Sequence, residues 1–318
     1  MMTEDFPTTL VEFTERFGTE EACRAYLIQQ RWPEGFICHR CGHDRATHLA
    51  DWDLWECRIC HHQTSLIADT TFRGTRKPLR LWFLAMYLVT TSKGGISARE
   101  LQRQLGLKAY QTAWTWLHKL RAAMRNPDRT PLEGEVEVDE AYVGGLEEGV
   151  SGRQTLRKAT VACAVERKAH GLGRVRLEVV QNAGRASMEG FIKAKVKAAS
   201  TTITDGWRAY SRLSKAGYTH VRYVISASGK TASELLPGIH RVISLLKRWL
   251  LGTHQGAVSS KHLQAYLEEF TFRFNRRTAH SLTHAFQRLA EGIVRSAPKT
   301  YWQIIGRISP CVPLKAAA

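Results

Sequence analysis

The apolar positions change period several times along the chain. Leu79, Trp82, Phe83 and Met86 fall at helical spacing after Pro78, and Lys93-Gly94-Gly95 closes the run, which predicts a helix. Ser97-Ala-Arg-Glu100 has the form of a capping box and opens a short second helix that ends near Gly106. A third follows at once, its apolar face made by Ala109, Ala113, Trp116, Leu117, Leu120 and Met124, with Lys108, Gln111, Lys119, Arg121 and Arg125 pointing elsewhere. Asn126-Pro-Asp-Arg-Thr-Pro131 has turn composition and no apolar period. Beyond it the period drops to two: Glu133, Glu135, Glu137 and Asp139 alternate with Gly134, Val136, Val138 and Glu140, as in a strand. Thr160 to Val165, Val175 to Val180 and Thr201 to Thr204 read as further strands, with a helix around Met188 to Val196 before the last. Ile239, Val242, Ile243, Leu246 and Leu250 mark another helix, which carries His240, Ser244 and Lys247 in one column. Leu263, Tyr266, Leu267, Phe270 and Phe274 form one more apolar stripe.

The 318 residues are enough for about two domains, and 43% hydrophobic content supports packed cores. A net charge of +17 points to a polyanionic partner, nucleic acid ahead of an anionic membrane surface. No apolar stretch approaches the roughly 20 residues of a membrane span, and the acids in Met1 to Phe17 do not suit a signal peptide. The expected location is therefore the cytoplasm, with no membrane partner.

Of seven cysteines, Cys23, Cys163 and Cys311 are scattered, while Cys38, Cys41, Cys57 and Cys60 form two CxxC knuckles separated by 15 residues. That is the spacing of a four-thiolate zinc site. A redox dithiol would instead need one CxxC beside a βαβ pattern. A module of about 40 residues buries too little surface to fold alone, so a closed, structural zinc ion would supply folding energy. With four sulfurs in place, His39, His43, His61 and His62 read as solvated or phosphate-facing residues. The segment between the knuckles reads as short strands around Trp52 and Trp55.

Two helices joined at a glycine turn in a basic chain suggest a helix-turn-helix for the major groove, against the plainer reading of a helical hairpin. Three strands, a helix and a fourth strand ending in Asp205 give the order in which ribonuclease-H-like nucleotidyl transferases present metal ligands. Asp139, placed among β-branched residues, needs compensation, which a divalent cation would provide. In two-metal phosphoryl transfer, carboxylates from separate elements hold two ions about 4 Å apart. Asp139 and Asp205 are the first two candidate ligands, and His240, with 34 residues between it and Asp205, the third. Glu234 is a possible substitute carboxylate, and Glu140 falls on the opposite strand face.

The chain resembles the insertion-sequence transposases of the ISXO type, a group related to Merlin elements. The likeness runs from the cysteine module through Val138-Asp-Glu-Ala-Tyr-Val-Gly-Gly145, Thr204-Asp-Gly-Trp-Arg-Ala-Tyr210 and Leu246-Lys-Arg-Trp249 to Gly252-Thr-His-Gln-Gly256. It continues through Ser260-Lys-His-Leu-Gln-Ala-Tyr-Leu267 and Glu269-Phe-Thr-Phe-Arg-Phe-Asn-Arg-Arg277, nearly the whole length. The resemblance implies a DDE-type active site with Asp139 and Asp205 as its aspartates and Lys247 as the basic residue seven positions after the third ligand. The related transposases most often carry glutamate where this chain has His240, and an asparagine where it has Leu245. Imidazole is a poor ligand for magnesium and a fair one for manganese, so His240 would bind a softer ion or activate water, or the copy is impaired.

The expected organisation is an N-terminal helical segment (1–35), a small zinc ribbon (36–75), an all-α helix-turn-helix segment (76–126) and a linker (127–131). An α/β ribonuclease-H-like catalytic domain with a mixed sheet (132–300) and a tail (301–318) follow. The expected cofactors are structural Zn2+ and two catalytic Mg2+ or Mn2+ ions. The expected partner is double-stranded DNA, both element ends and target, bound near the nucleoid of a prokaryotic cell by a homodimer or higher oligomer. Lys108, Gln111, Lys119, Lys247, Arg248, Arg273, Arg276 and Arg277 are the candidate DNA contacts. The expected activity is strand cleavage and strand transfer; the alternatives are a DNA-binding regulator with a decayed catalytic domain and a structure-selective nuclease of the same fold.

Overall fold

In the computed structural model the described residues are 6–125, 129–145, 147, 155, 157–277 and 279–307. Residues 126–128 of the linker's turn sequence, and Cys311, lie outside them. The chain divides into two compact units, one of 1–125 with 278–318 and one of 126–277.

In the first unit, α1 (Leu10–Phe17) and α2 (Glu20–Arg31) each begin at a threonine, Thr9 or Thr19, whose hydroxyl accepts a hydrogen bond from a first-turn N–H. A three-stranded antiparallel sheet follows, β1 (Ala46–Leu49), β2 (Leu54–Cys57) and β3 (Gln63–Ser65). Trp55 lies in β2 as expected, but Trp52 sits in the 3-10 turn between β1 and β2 with its ring 76% exposed. Three helices come next, α3 (Leu79–Thr91), α4 (Ala98–Gln104) and α5 (Tyr110–Ala123). Ser97 caps α4 by accepting from the Glu100 N–H, yet the box does not close, because the Glu100 carboxylate is taken by Arg103 and Gln104. Gly106, at φ +60°, makes the turn into α5. The buried face of α5 differs from the sequence reading at three positions. Ala109 is an exposed cap, Arg121 is 1% exposed, and the Lys119 ammonium lies over the Trp82 ring, which stacks on Trp116 at 3.8 Å.

The second unit holds a mixed five-stranded sheet in the order β6-β5-β4-β7-β8, from β4 (Glu135–Val143), β5 (Ala159–Lys168), β6 (Gly171–Val180), β7 (Thr201–Asp205) and β8 (Thr219–Tyr223). The first three strands run antiparallel, and β7 and β8 lie parallel to β4, which is the ribonuclease-H-like arrangement. Helix α6 (Arg185–Lys195) covers one face, where Val136, Val138, Ala162 and Ala164 meet Met188, Phe191 and Ile192. After the short α7 (Ile225–Ser228) and α8 (Ala232–Leu235), α9 (Pro237–His254) and α10 (Ser260–Phe274) cover the other face. There Ala141, Val161, Cys163 and Ile203 meet Ile239, Val242, Leu246, Leu263 and Phe270. The central strand β4 is thus sandwiched between helices. The acidic face expected of it is not a solvent face: Glu135 is exposed, but Glu137 is 1% and Asp139 9% exposed.

The chain then returns to the first unit through α11 (Ala279–Arg295) and α12 (Tyr301–Ile304). The segment expected to be catalytic as far as 300 therefore ends at 277. The reason is packing: α11 lies on α2, α3 and α5, and Phe286 enters a ring cluster with Phe6, Phe13, Phe17, Tyr26 and Phe83. Gly292 permits the approach, since a Cβ there would come 2.0 Å from the Ala123 carbonyl oxygen.

Candidate active site and zinc centre

The four cysteine sulfurs all lie within 4.8 Å of one another, with Cys38 and Cys60 3.6 Å apart and Cys41 and Cys57 3.5 Å apart. A zinc tetrahedron with bonds of about 2.3 Å has edges of about 3.8 Å, so the donor set fits the ion without rearrangement. The two knuckles repeat one backbone pattern. In the first, the Cys38 N–H donates to His43 O and the Gly42 N–H to Cys38 O; in the second, Cys57 donates to His62 O and His61 to Cys57 O. N–H groups of Cys60 and Ile59 also face the Cys57 sulfur and bring its thiol down to about 6, toward the thiolate that binds metal. The nearby histidines sit beside carboxylates, His39 with Asp69 and His61 with Glu56, outside the thiol cluster.

In the second unit the parallel register of β4 and β7 runs Glu135↔Thr201, Val136↔Thr202, Glu137↔Ile203 and stops. Two residues further on each strand stand Asp139 and Asp205. Because side chains alternate, both follow the faces of Glu137 and Ile203, toward α9. Asp205 is the last residue of β7, and the carboxyl end of a parallel strand is where open α/β sheets hold ligands; Asp139 lies mid-strand in β4, just past the end of its pairing with β7. Asp205 is fixed in its turn by the Trp207 N–H, which donates to its Oδ1 at 3.0 Å, and Asp139 Oδ1 accepts from the Glu140 N–H at 2.9 Å.

Helix α9 brings the third candidate. His240 Nε2 stands 3.6 Å from Asp139 Oδ2, is buried, and has no hydrogen-bond partner. Burial holds the imidazole below its ordinary pKa against the pull of Asp205, and Lys247 pushes the same way as burial. A neutral ring with an unpartnered nitrogen facing a carboxylate is a donor set that fits a shared divalent cation, and imidazole favours manganese over magnesium. Asp139, Asp205 and His240 are spread more widely than the thiols, which among the described residues are the one set of at least three such donors so close together. Lys247 is exposed on the same helix. Glu234 is elsewhere engaged: its carboxylate accepts from the N–H and hydroxyl of Thr231 in the capping box of α8.

One acid escaped the sequence reading, and a second lies on the strand face expected of it. Glu137 Oε2 accepts from the Ile239 N–H at 2.7 Å, and Glu140, on the other face, accepts from the Tyr210 hydroxyl at 3.0 Å. Burial and the surrounding carboxylates, Glu140 foremost, push the Tyr210 phenol well above its ordinary range, so it stays a donor. The spacing Asp205 to Tyr210 carried this signal only as part of a longer motif.

The candidate DNA contacts separate by exposure. Lys108, Gln111, Lys247 and Arg248 are exposed. Arg276 stacks on Phe272, and Arg277 stacks on Phe274 while donating to Phe274 O, Gly173 O and Leu172 O. Arg273 is half-buried, and burial holds its guanidinium below the ordinary pKa. These three were expected at phosphates; two of them tie the end of α10 to β6 or to its own last turn. No helix among the described residues is long and apolar enough to cross a membrane.

Comparison with known proteins gives two family matches, an ISXO2-like transposase domain over residues 131–275 and a transposase zinc-ribbon domain over residues 18–63. The chain is 28% identical over 281 residues to an uncharacterized protein in transposable element ISH50 of Halobacterium salinarum, covering 81% of this chain and 91% of that protein. Among solved structures it is similar to the Mos1 strand transfer complex, at 10% identity and a TM-score of 0.28, over 69% of this chain and 78% of that one. A pre-cleavage Mos1 transpososome gives 10% identity and a TM-score of 0.26, over 69% and 79% of the two chains. The ribbon and the five-stranded α/β unit are thus each matched by a domain model of the ISXO-type insertion-sequence transposases.

Proposed function

We propose that this chain cuts phosphodiester bonds at the ends of its element and joins the freed 3′ hydroxyls to target DNA. The observation that carries the reading is the register of β4 and β7, which sets Asp139 and Asp205 at equivalent positions on one face, with His240 3.6 Å from Asp139. Divalent ions bound there supply activation of the attacking oxygen and stabilisation of the leaving one. Asp139 and Asp205 hold the charge that such ions need, and the Trp207 N–H keeps the Asp205 carboxylate aimed. The neutral His240 ring adds a nitrogen donor, which makes Mn2+ a better activator than Mg2+ for this chain. Exposed Lys247 and Arg248 meet the DNA backbone at the reacting end. Water is the first nucleophile and the 3′ oxygen leaves with a proton; that hydroxyl then gives up its proton and attacks a target phosphodiester, whose own 3′ oxygen leaves and takes one up, so no covalent enzyme intermediate is needed.

The zinc ribbon and the α4–α5 pair hold the element ends, with Lys108 and Gln111 presented at the start of α5. Paired ends call for a dimer or larger assembly, working at the nucleoid. The test is a strand-transfer assay on element-end DNA with Mn2+ or Mg2+. Wild-type product, faster in Mn2+, that falls at least about 1,000-fold in Asp139→Asn with end binding retained supports the reading. Tight end binding with no cleavage in either metal makes the chain a regulator instead, and cutting of branched DNA without joining makes it a nuclease.

A further inference from the structure

Glu137 occupies the first turn of α9 from outside the helix. The residue before that helix, Leu236, offers no side-chain cap, and Pro237 has no N–H. The Ile239 N–H donates to Glu137 Oε2 at 2.7 Å, while the His240 N–H goes to Leu236 O at 3.2 Å. One donor of the opening turn thus depends on a side chain 1% exposed. The approach needs glycine at 238, where a Cβ would come 2.9 Å from Glu137 Oε2 and 2.8 Å from Leu172 Cδ2. Arg167 steadies the other carboxylate oxygen, with Nε 3.4 Å from Oε1.

These contacts close a ring. Glu137 and Asp139 are two apart on one strand and share a face, Ile239 and His240 are neighbours on the helix, Glu137 bonds Ile239, and His240 faces Asp139 at 3.6 Å. Glu137 is not itself a replacement for the missing glutamate, since its oxygens are already held by the Ile239 N–H and Arg167. We infer that Glu137 is a positioning residue that sets where α9 begins and so holds His240 Nε2 at the distance from Asp139 that a shared cation requires. This rests on the proposed active site.

The test uses the full chain with its ribbon loaded with zinc, and follows Mn2+ binding by the loss of the free-ion electron paramagnetic resonance signal, with thermal melting alongside. Wild-type binding that Asp139→Asn removes establishes the site. Glu137→Ala should then weaken the apparent dissociation constant about 10- to 100-fold, while Glu137→Gln, which keeps an acceptor for the helix, recovers most of it. Gly238→Ala crowds the carboxylate without deleting it and should weaken binding in the same direction, and it serves if Glu137→Ala fails to fold. Asp139-dependent binding that is unchanged in Glu137→Ala and Gly238→Ala, with only the melting temperature lowered, makes Glu137 a helix cap alone and overturns the inference. Mn2+ binding indifferent to Asp139→Asn overturns the active-site reading and the inference with it.

Discussion

His61 holds a left-handed backbone, φ +52°, at the position where the first knuckle has Gly42 at φ +74°. That conformation costs a non-glycine residue about 1 kcal/mol or more, and glycine's greater freedom when unfolded offsets part of the difference. His61→Gly is therefore expected to stabilise the zinc-loaded ribbon by about 0.5 kcal/mol, read as a higher urea midpoint of the ribbon's tryptophan fluorescence. The zinc ligands were legible because their spacing is a local property of two short loops. The two aspartates could be singled out only jointly, from the order of strands and from the resemblance, because each alone has an ordinary use as a surface or turn acid. Glu137 was not legible: in the alternating run of acids nothing distinguishes it from Glu135, which is exposed, until α9 is laid over the strand. The same holds for Arg121 and Lys119, whose charges suggested an outward face that the packing of α5 does not give them.

Among the elements, β6 shows how an edge strand is finished. Asn275 and Gln264 of the α10 region accept from the N–H groups of Val175 and Val179, each at 2.8 Å or less, so their side-chain amides stand in for a missing neighbour strand. Nearby, Glu166, 1% exposed, is bonded by the N–H and guanidinium of Arg174. Burial would raise that carboxyl, but the Arg174 bonds outweigh it and hold it below its ordinary 4.5. A lowered folded value means that the stabilisation is complete above 4.5 and is lost as the pH falls through the folded value. The urea midpoint of the sheet unit should thus drop on acidification below 4.5, and Glu166→Gln should flatten that limb of the profile while lowering stability at pH 7. Strands β4 to β7 were readable from their β-branched runs and alternation. The three residues of β3 are too few to show a period, and β8, an edge strand with much of its surface open, carries little apolar signal.

At the scale of the whole chain, the first unit is discontinuous. Sequence order suggested that α11 continued the catalytic region, because an amphipathic stripe reports that a helix has a partner and not which one. Phe286, 1% exposed, is the side chain that decides the matter, and Phe286→Ala should cost about 3 to 5 kcal/mol. Hydrogen exchange should quicken in α2, α3 and α5 while the amides of β4 and β5 keep their protection; a uniform acceleration in both units would contradict the division. The return of α11 also sets an order of events at the ribosome. The aromatic cluster around Phe17 and Phe83 stays open until residue 286 has been made, and by then every candidate ligand of the sheet unit has already been translated. A product truncated by a frameshift or early stop just before that helix would carry all of the sheet unit and yet leave the first unit without a finished core.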